Sequence, residues 1–279
     1  MMHSTTCPCG ALPAKGLSLR RPVGARISTK SSRTTPSLPR RNIVSAAQAS
    51  EVPDPFATKE VYNDGPLTKF FCTWFSKQMS KQLGEPCPED ITYEKFIEVG
   101  RRVIQTKSPL GAQEVVMGVL NATMPPGSAE KFRRWFPLSQ WSAEFNAWLT
   151  TIGFMWLVGP CELEEADIPK EDGSVEVWNS RVHIKKCRYL ETSGCTGMCV
   201  NMCKIPTQKF FTEDFGLPVT MKPNFEDLSC DMIFGEMPPS IEDDEAFKQP
   251  CFAAQCSVAS KDLSAPCHRL PPIKSEVSN

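Results

Sequence analysis

Closely spaced cysteines in the second half of the chain are the residues with the most evident chemical potential. Cys195, Cys199 and Cys203 recur at a spacing of four within the segment CRYLETSGCTGMCVNMC, residues 187–203. Three more cysteines follow at short intervals: Cys230, Cys251 and Cys256. So many thiols in one region indicate a bound metal, a disulfide or a reactive thiol.

The spacing of these thiols limits how they can share one metal. On a straight helix, positions i, i+4 and i+8 lie on one face, but at 1.5 Å per residue the outer two are roughly 12 Å apart. Glycines on both sides of Cys195 permit unusual backbone angles. We therefore predict that Cys195 lies on a loop that wraps towards a helix carrying Cys199 and Cys203. A fourth ligand would come from one of the three later cysteines.

The type of ligand narrows the metal only in part. Four thiolates around one centre suit an iron–sulfur cluster or a structural zinc ion. The spacing matches neither common ferredoxin pattern, so it does not choose between the two. The alternative interpretation is a helix face of small buried hydrophobic side chains, because free cysteine often serves only as such a residue.

The first fifty residues differ in composition from the rest of the chain. They contain eight Lys or Arg, no Asp or Glu and many Ser and Thr, and five prolines interrupt their short apolar pieces. This composition is typical of a chloroplast transit peptide, and the small residues after Ile43 offer a processing site. We predict that residues 1–50 are a disordered plastid transit peptide and that the protein is located in the chloroplast. A disordered tail without a targeting role is the plainer alternative.

The composition of the remaining chain excludes some classes of function. Beyond residue 50 there are 23 basic and 32 acidic residues, a balance of −9, which argues against a nucleic-acid partner. Eleven cysteines remain there, an odd number, and a plastid stroma does not favour structural disulfides. The odd number of cysteines and the expected plastid location shift the interpretation of these cysteines towards metal binding or redox use.

Residues 51–160 are predicted to form a helical region. Apolar residues recur with a helical period, and five helices are predicted to begin near Pro66, Thr92, Ser108, Ser128 and Ser139. The last is apolar almost all round from Phe145 to Val158, yet it is too short to span a bilayer. A helix of this kind is normally buried in a core. The alternatives are the wall of an apolar cavity or a surface that dips into a membrane.

Residues 161–256 are predicted to form a Cys-rich α+β region. Alternating apolar residues at 175–177, 182–190 and 228–234 predict antiparallel strands, with a turn at 170–173. The predicted fold class is α+β, in which an N-terminal helical half packs on a small antiparallel sheet with a Cys-rich metal-binding segment.

Two further expectations concern the end of that region. Pro206 is expected to break or kink the helix that carries Cys203. Residues 257–279 lose all periodicity and are predicted to form a loose C-terminal tail.

Several segments of the second half resemble the plastid beta-carotene isomerase family. The similarity is specific over residues 180–256 and looser over residues 60–160. The segments that carry it are residues 187–203, KIPTQKFF at 204–211, EDFGLP at 213–218, MKPNFEDLSC at 221–230, FG at 234–235, PC at 250–251 and the cysteine at 256.

The resemblance implies an isomerase that interconverts all-trans- and 9-cis-beta-carotene, the first committed step towards strigolactone hormones. It also implies a plastid location and dependence on iron, bound as an ion or as an iron–sulfur cluster. The candidate metal ligands that it implies are Cys195, Cys199, Cys203, Cys230, Cys251 and Cys256. Because the family contains paralogues with different isomer preferences, the preferred isomer stays open.

The chemistry of such a reaction is consistent with the sequence. Rotation about a conjugated double bond requires that its π bond be weakened transiently, either by adding or removing one electron or by reversible attachment of a proton or electrophile. An iron centre can supply the first route without a nucleotide cofactor. The sequence contains no nucleotide-binding motif. A carotenoid has no polar group to grip, so we expect a long apolar, aromatic-lined channel, with Trp148 and Trp156 among the residues that line it. The sequence does not identify the catalytic residues.

Two other classes of function remain as alternatives. A plastid iron–sulfur electron carrier or assembly protein would share the metal but need no apolar cavity. In a zinc-stapled interaction module, the thiols would only hold the sheet to the helices. No apolar stretch is long enough to cross a bilayer, so any contact with thylakoids or lipid droplets would be peripheral.

Overall fold

The helices of the first half begin where the sequence predicts. The structure, a computed structural model, describes residues 54–170, 172–252, 254–256, 259, 262 and 264–272. The predicted transit peptide, residues 1–50, lies outside these residues. The helices are α1 (Pro66–Leu83), α2 (Tyr93–Thr106), α3 (Pro109–Thr123), α4 (Ser128–Trp135), α5 (Gln140–Gly153) and α6 (Met155–Val158).

Side-chain caps fix the starts of three of these helices. The hydroxyls of Thr92, Ser108 and Ser139 accept hydrogen bonds from backbone N–H groups three residues later. Each bond satisfies a donor that has no partner within its own helix. At Ser139 the bond is reciprocal, because the hydroxyl of Ser142 accepts from the N–H of Ser139.

A four-stranded antiparallel sheet forms the other layer of the described fold. Its strands, in the order β1–β2–β4–β3, are β1 (Glu162–Pro169), β2 (Val175–Ile184), β3 (Val219–Pro223) and β4 (Cys230–Phe234). The α+β fold class is therefore confirmed. The prediction that strand structure continues to Leu190 is wrong, because β2 ends at Ile184 and helix α7 (Arg188–Ser193) follows. Over so few residues, periods of 2 and 3.6 cannot be told apart.

One long helix of mixed register, residues 196–214, carries two of the spaced cysteines. It consists of an α-turn (Thr196–Met198), a π-helix (Cys199–Lys204), an α-turn (Ile205–Lys209) and a second π-helix (Phe210–Asp214). Pro206 does not end this helix. Proline lacks an N–H and its ring crowds the carbonyl four residues earlier, and the wider π-turn ahead of it moves the hydrogen-bond register by one residue. Thus the N–H of Ile205 donates to the carbonyl of Val200.

Helix α5 packs on the sheet through its small side chains. Its buried residues are Ser142, Ala143, Asn146, Ala147 and Thr150. Its large apolar side chains face outward, with exposed fractions of 60% for Trp141, 49% for Trp148 and 55% for Ile152. The prediction that this segment is buried all round is wrong, because small residues permit the close approach to the sheet and leave the large ones outside.

Helices and sheet share one main hydrophobic core, and a second, small core lies beside it. The small core consists of Val200, Ala246, Phe247, Cys251, Cys267 and Leu270. Two of these residues, Cys267 and Leu270, fall in the region expected to be a loose tail, yet both are buried. Among the described residues, none of the helices combines the length and apolar character needed to cross a bilayer.

Candidate active site and thiol groups

The cysteines of the second half gather into two separate groups. We call the first the pocket thiols, Cys187, Cys199, Cys203 and Cys230, which line one small cavity. We call the second the distal thiols, Cys195, Cys251, Cys256 and Cys267, which lie next to His268. The six predicted ligands are thus divided, three in each group, and the structure does not bring Cys195 to the same cavity as Cys199 and Cys203.

Three different elements position the pocket thiols. Cys199 and Cys203 project from the π-helix, Cys187 precedes α7, and Cys230 opens β4. Their cavity has a volume of about 10 Å³ and is also lined by Tyr189. Short π-helical segments occur frequently at functional sites, because the widened turn redirects side chains that an α-helix would hold elsewhere.

Burial dominates the acid–base behaviour of the pocket thiols. It raises the pKa of Cys203 to about 12 and that of Cys187 to about 11. The ammonium group of Lys204 opposes this shift at Cys203, and the N–H groups of Leu190 and Tyr189 oppose it at Cys187. Without a cation in their midst these thiols hold their protons at neutral pH, and a bound metal would displace them.

An apolar pocket adjoins the thiol cavity. It has a volume of about 50 Å³ and is lined by Phe75, Met79, Phe96, Val116, Val119, Trp156, Leu157, Tyr189, Met202 and Cys203. Cys203 and Tyr189 line both spaces. The two spaces therefore adjoin at these two side chains.

Trp156 is the rigid wall of this pocket, and Trp148 is not one of its lining residues. The indole of Trp156 is 6% exposed and packs against the rings of Phe71, Phe75 and Phe96 at centroid distances of 5.2, 5.1 and 5.8 Å. Trp148 instead lies on the outward face of α5. The two tryptophans expected in one channel thus stand in different environments.

A buried ion pair adjoins the thiol cavity, because Lys204 is one of the residues that line it. The ammonium group of Lys204, 2% exposed, lies 2.8 Å from a carboxylate oxygen of Asp244, 8% exposed. The same ammonium group donates to the carbonyl of Met221. A positive charge is therefore held beside the pocket thiols.

Comparison with known proteins gives a family assignment. Residues 156–243 match the sequence profile described as "Beta-carotene isomerase D27-like, C-terminal". The chain is 38% identical over 192 residues to "Beta-carotene isomerase D27, chloroplastic" of Medicago truncatula, covering 69% of this chain and 74% of the relative. It is 40% identical over 190 residues to the protein of the same name from Arabidopsis thaliana, covering 68% and 70%.

The chain belongs to the beta-carotene isomerase D27-like family. The predictions that it is an isomerase and that it is located in the chloroplast are confirmed by these relatives. No solved structure matches the chain. The matched residues 156–243 contain all four pocket thiols but, of the distal thiols, only Cys195.

Sequence reasoning did not single out every residue of the two groups as a ligand. The sequence does not mark Cys187 as a ligand, and this residue reaches the cavity because the chain turns from β2 into α7. Cys267 and His268 were assigned to a loose tail. The signal that would have found them is the adjacent Cys-His pair itself, two strong metal-ligand types side by side.

Proposed function

We propose that the chain converts all-trans-beta-carotene to 9-cis-beta-carotene in the plastid, with the pocket thiols as the ligands of an iron centre. The observation that carries this proposal is the apolar pocket whose lining includes Cys203, one of the four cysteines that line the adjoining thiol cavity. The names of the relatives support the substrate. The place of the reaction in strigolactone biosynthesis rests on the family resemblance.

The apolar pocket suits a ligand without polar groups. Apart from the phenol of Tyr189 and the thiol of Cys203, its lining is hydrocarbon, thioether and aromatic. At about 50 Å³ it is far below the several hundred Å³ of a typical ligand pocket, so it must widen to take a carotenoid. Met79 and Met202 are the side chains best suited to move, because methionine is unbranched and flexible.

The donor set of the thiol cavity is the ligand type of thiolate-bound iron, although no three of its sulfur atoms lie within 4.8 Å of one another, so they would have to move to hold one ion. Four cysteines are the usual ligands of iron–sulfur clusters, and here they are buried next to a lysine that offsets their negative charge. The chemistry that iron supplies when bound to thiolates is reversible one-electron transfer, and an isomerisation has no net electron demand. The residues that would hold it are Cys187, Cys199, Cys203 and Cys230.

The remaining residues position the polyene and exclude water. The ring of Trp156, fixed by three aromatic neighbours, presents a flat wall against which a conjugated chain can lie. The hydroxyl of Tyr93 donates to the carbonyl of Leu157 at 2.5 Å and so anchors α6 to α2. Cys203 faces the pocket and the thiol cavity, which brings the bound polyene close to the proposed iron centre.

Purified protein in micelles tests this proposal. The full chain, prepared without oxygen, would be assayed for iron and for 9-cis product formed from all-trans-beta-carotene. We expect iron and turnover in the wild type and in Cys87→Ser, whose half-buried thiol belongs to neither group. We expect the loss of both in Cys203→Ser. Iron without isomerisation of any carotenoid would refute the proposal and favour the electron carrier.

The outward face of α5 and the residues around it expose several large apolar side chains. We call this the aromatic surface, defined by Trp135, Leu138, Trp141, Trp148, Ile152 and Met155, all more than 45% exposed. Phe136 and Trp141 stack with ring centroids 5.5 Å apart and only 3° between their planes. Large contiguous apolar patches on a protein surface usually mark interaction sites.

We infer that the aromatic surface docks on an anionic bilayer. Helix α4 carries Lys131, Arg133 and Arg134, all exposed, beside Trp135. Basic residues next to exposed aromatic ones are the composition of interfacial membrane anchors. Met155, at one end of the aromatic surface, directly precedes the pocket residue Trp156 in the sequence.

Vesicle flotation tests the docking surface. We expect the full chain to float with vesicles containing phosphatidylglycerol and Trp141→Ser/Trp148→Ser to bind at least tenfold more weakly. Lys131→Glu/Arg134→Glu should weaken binding to these vesicles but not to neutral phosphatidylcholine vesicles. Val177→Ser is the matched control, since Val177 is 56% exposed on β2. Equal binding by all variants would rule out the aromatic surface as the docking site.

A further inference from the structure

The distal thiols form a second potential metal site that does not reach the pocket. None of Cys195, Cys251, Cys256, Cys267 and His268 lines the apolar pocket or the thiol cavity in the described part of the chain. Cys251 and Cys267 belong to the small second core, whereas the pocket residues Phe96 and Trp156 belong to the main core. They therefore need an explanation other than the isomerisation.

The donor atoms of this group are already close together. One ligand atom from each of Cys251, Cys267 and His268 lies within 4.8 Å of the other two. Zinc–sulfur bonds of about 2.3 Å place the ligands of a tetrahedral site about 3.8 Å apart, so movements of about 1 Å suffice. Among the described residues, this is the only trio of metal-binding side chains that meets the 4.8 Å distance.

Either of two more thiols can supply the fourth ligand. The thiols of Cys195 and Cys256 are hydrogen-bonded to each other, and Cys256 is also close enough to Cys267 to act on its ionisation. Three cysteines and one histidine are a usual ligand set of closed structural zinc sites. The group thus contains a complete tetrahedral set without help from the pocket thiols.

Backbone amides are aimed at the sulfur atoms. The N–H of Arg269 donates to the sulfur of Cys267, and the N–H of Met198 lies 3.4 Å from the sulfur of Cys195. Such bonds stabilise a thiolate relative to a thiol. In metal sites, hydrogen bonds to the ligating atoms orient the ligands and adjust their charge.

The segment that contributes most of these ligands has little regular structure to hold it. Among the described residues from 249 to 272, which we call the strap, there is neither helix nor strand. The strap is attached to the start of the mixed-register helix by hydrogen bonds from Thr196 to the carbonyl of Pro250, at 2.8 Å, and from Asn201 to the carbonyl of Arg269, at 2.6 Å. A small irregular region of this kind commonly needs a covalent or metal staple.

Two glycines allow the strap to approach the helix closely. A Cβ atom at Gly194 would lie 2.7 Å from the Cβ of Gln255, and one at Gly197 would lie 2.8 Å from the Cβ of Arg269. Contacts this short exclude any side chain at either position. The close approach brings Cys195 to the thiols of the strap.

We propose that Cys251, Cys267 and His268, with a fourth thiol from the Cys195–Cys256 pair, bind one Zn²⁺ ion that staples the strap to the mixed-register helix. The site is structural and independent of the isomerase centre. A closed tetrahedral site has no open position for substrate, and this one lies outside the pocket.

Metal analysis of the full chain tests the proposal. Protein from cells supplied with both zinc and iron would be dialysed against a chelator and analysed by mass spectrometry. We expect one zinc per chain, and at least a tenfold lower zinc content in His268→Ala. Because His268 is exposed, this substitution leaves the packing intact. His183→Gln, at a histidine that pairs with Asp231 in the sheet, is the control and should keep its zinc.

Cysteine variants separate this site from the pocket thiols. Cys267→Ser should lose zinc while Cys203→Ser keeps it, so the zinc result does not depend on whether the isomerase proposal holds. Cobalt added in place of zinc should give the visible absorption of thiolate-bound Co²⁺, diminished in His268→Ala. The proposal is overturned if the wild type holds no zinc, if His268→Ala and Cys267→Ser retain it, or if the metal lost from Cys267→Ser is iron.

Discussion

Replacing Lys204 by Met should destabilise the protein more than any surface substitution of a charged residue. Lys204 and Asp244 form a buried pair with 2.8 Å between nitrogen and oxygen. At that distance and an effective dielectric constant of about 20, their gross attraction is about 6 kcal/mol, part of which desolvation offsets. Lys204→Met leaves the Asp244 carboxylate buried and unpaired, which typically costs about 3–5 kcal/mol.

Urea unfolding followed by circular dichroism measures this cost, and a double-mutant cycle isolates the pair. We expect Lys204→Met to lower the free energy of unfolding by about 3–5 kcal/mol and the melting temperature by roughly 6–20 °C. In Lys204→Met/Asp244→Leu both charges are gone, and stability should return to within about 2 kcal/mol of the wild type, the remainder being the lost hydrogen bond from the N–H of Ala246 to Asp244. The exposed pair of Lys185 and Glu162 is the control, and Lys185→Met should cause no measurable change. Single effects below about 1 kcal/mol that simply add would refute the reasoning.

Two further predictions concern the pocket. Metal-free protein should lose stability above pH 9, because the unfolded state releases thiol protons near that pH while the folded state retains them. Cys187, with its pKa raised to about 11, contributes a fall in the free energy of unfolding of about 2 kcal/mol between pH 9 and pH 11. The fall measured by urea unfolding should therefore be smaller in Cys187→Ser. Trp156→Ala should lower the free energy of unfolding by about 3–5 kcal/mol, because it removes a buried ring with three aromatic neighbours. Trp148→Ala should change the free energy of unfolding by less than about 1 kcal/mol, because Trp148 is exposed. Similar losses in the two variants would contradict the distinction between pocket wall and surface.

Local signals in the sequence account for much of the helical half. Pro66, Thr92, Ser108 and Ser139 mark helix starts correctly, because caps and first-turn prolines act through hydrogen bonds to residues only a few positions away. The strand at 228–234 follows from alternation, although β4 itself begins only at Cys230.

The features that the sequence did not predict depend on contacts between residues that are far apart in the chain. The inward and outward faces of α5 were misjudged because both carry apolar residues, and only the sheet decides which face it can accept. The division of the cysteines into two groups depends on the π-helix after Cys199 and on where the strap folds back. Neither has a signature within a few residues of the cysteines, so the spacing of four alone suggested one site.

The outward face of α5 also determines how the protein behaves when no membrane is present. In buffer without lipid, association of two chains through this surface removes its exposed tryptophans from water, which is favourable. The surface inferred to bind lipid then becomes a surface for self-association. We expect particles that grow with protein concentration and disperse when detergent or vesicles are added. Activity measured without lipid would then reflect the small fraction of chains whose aromatic surface is uncovered, and it would underestimate the catalytic capacity of the protein in its own compartment.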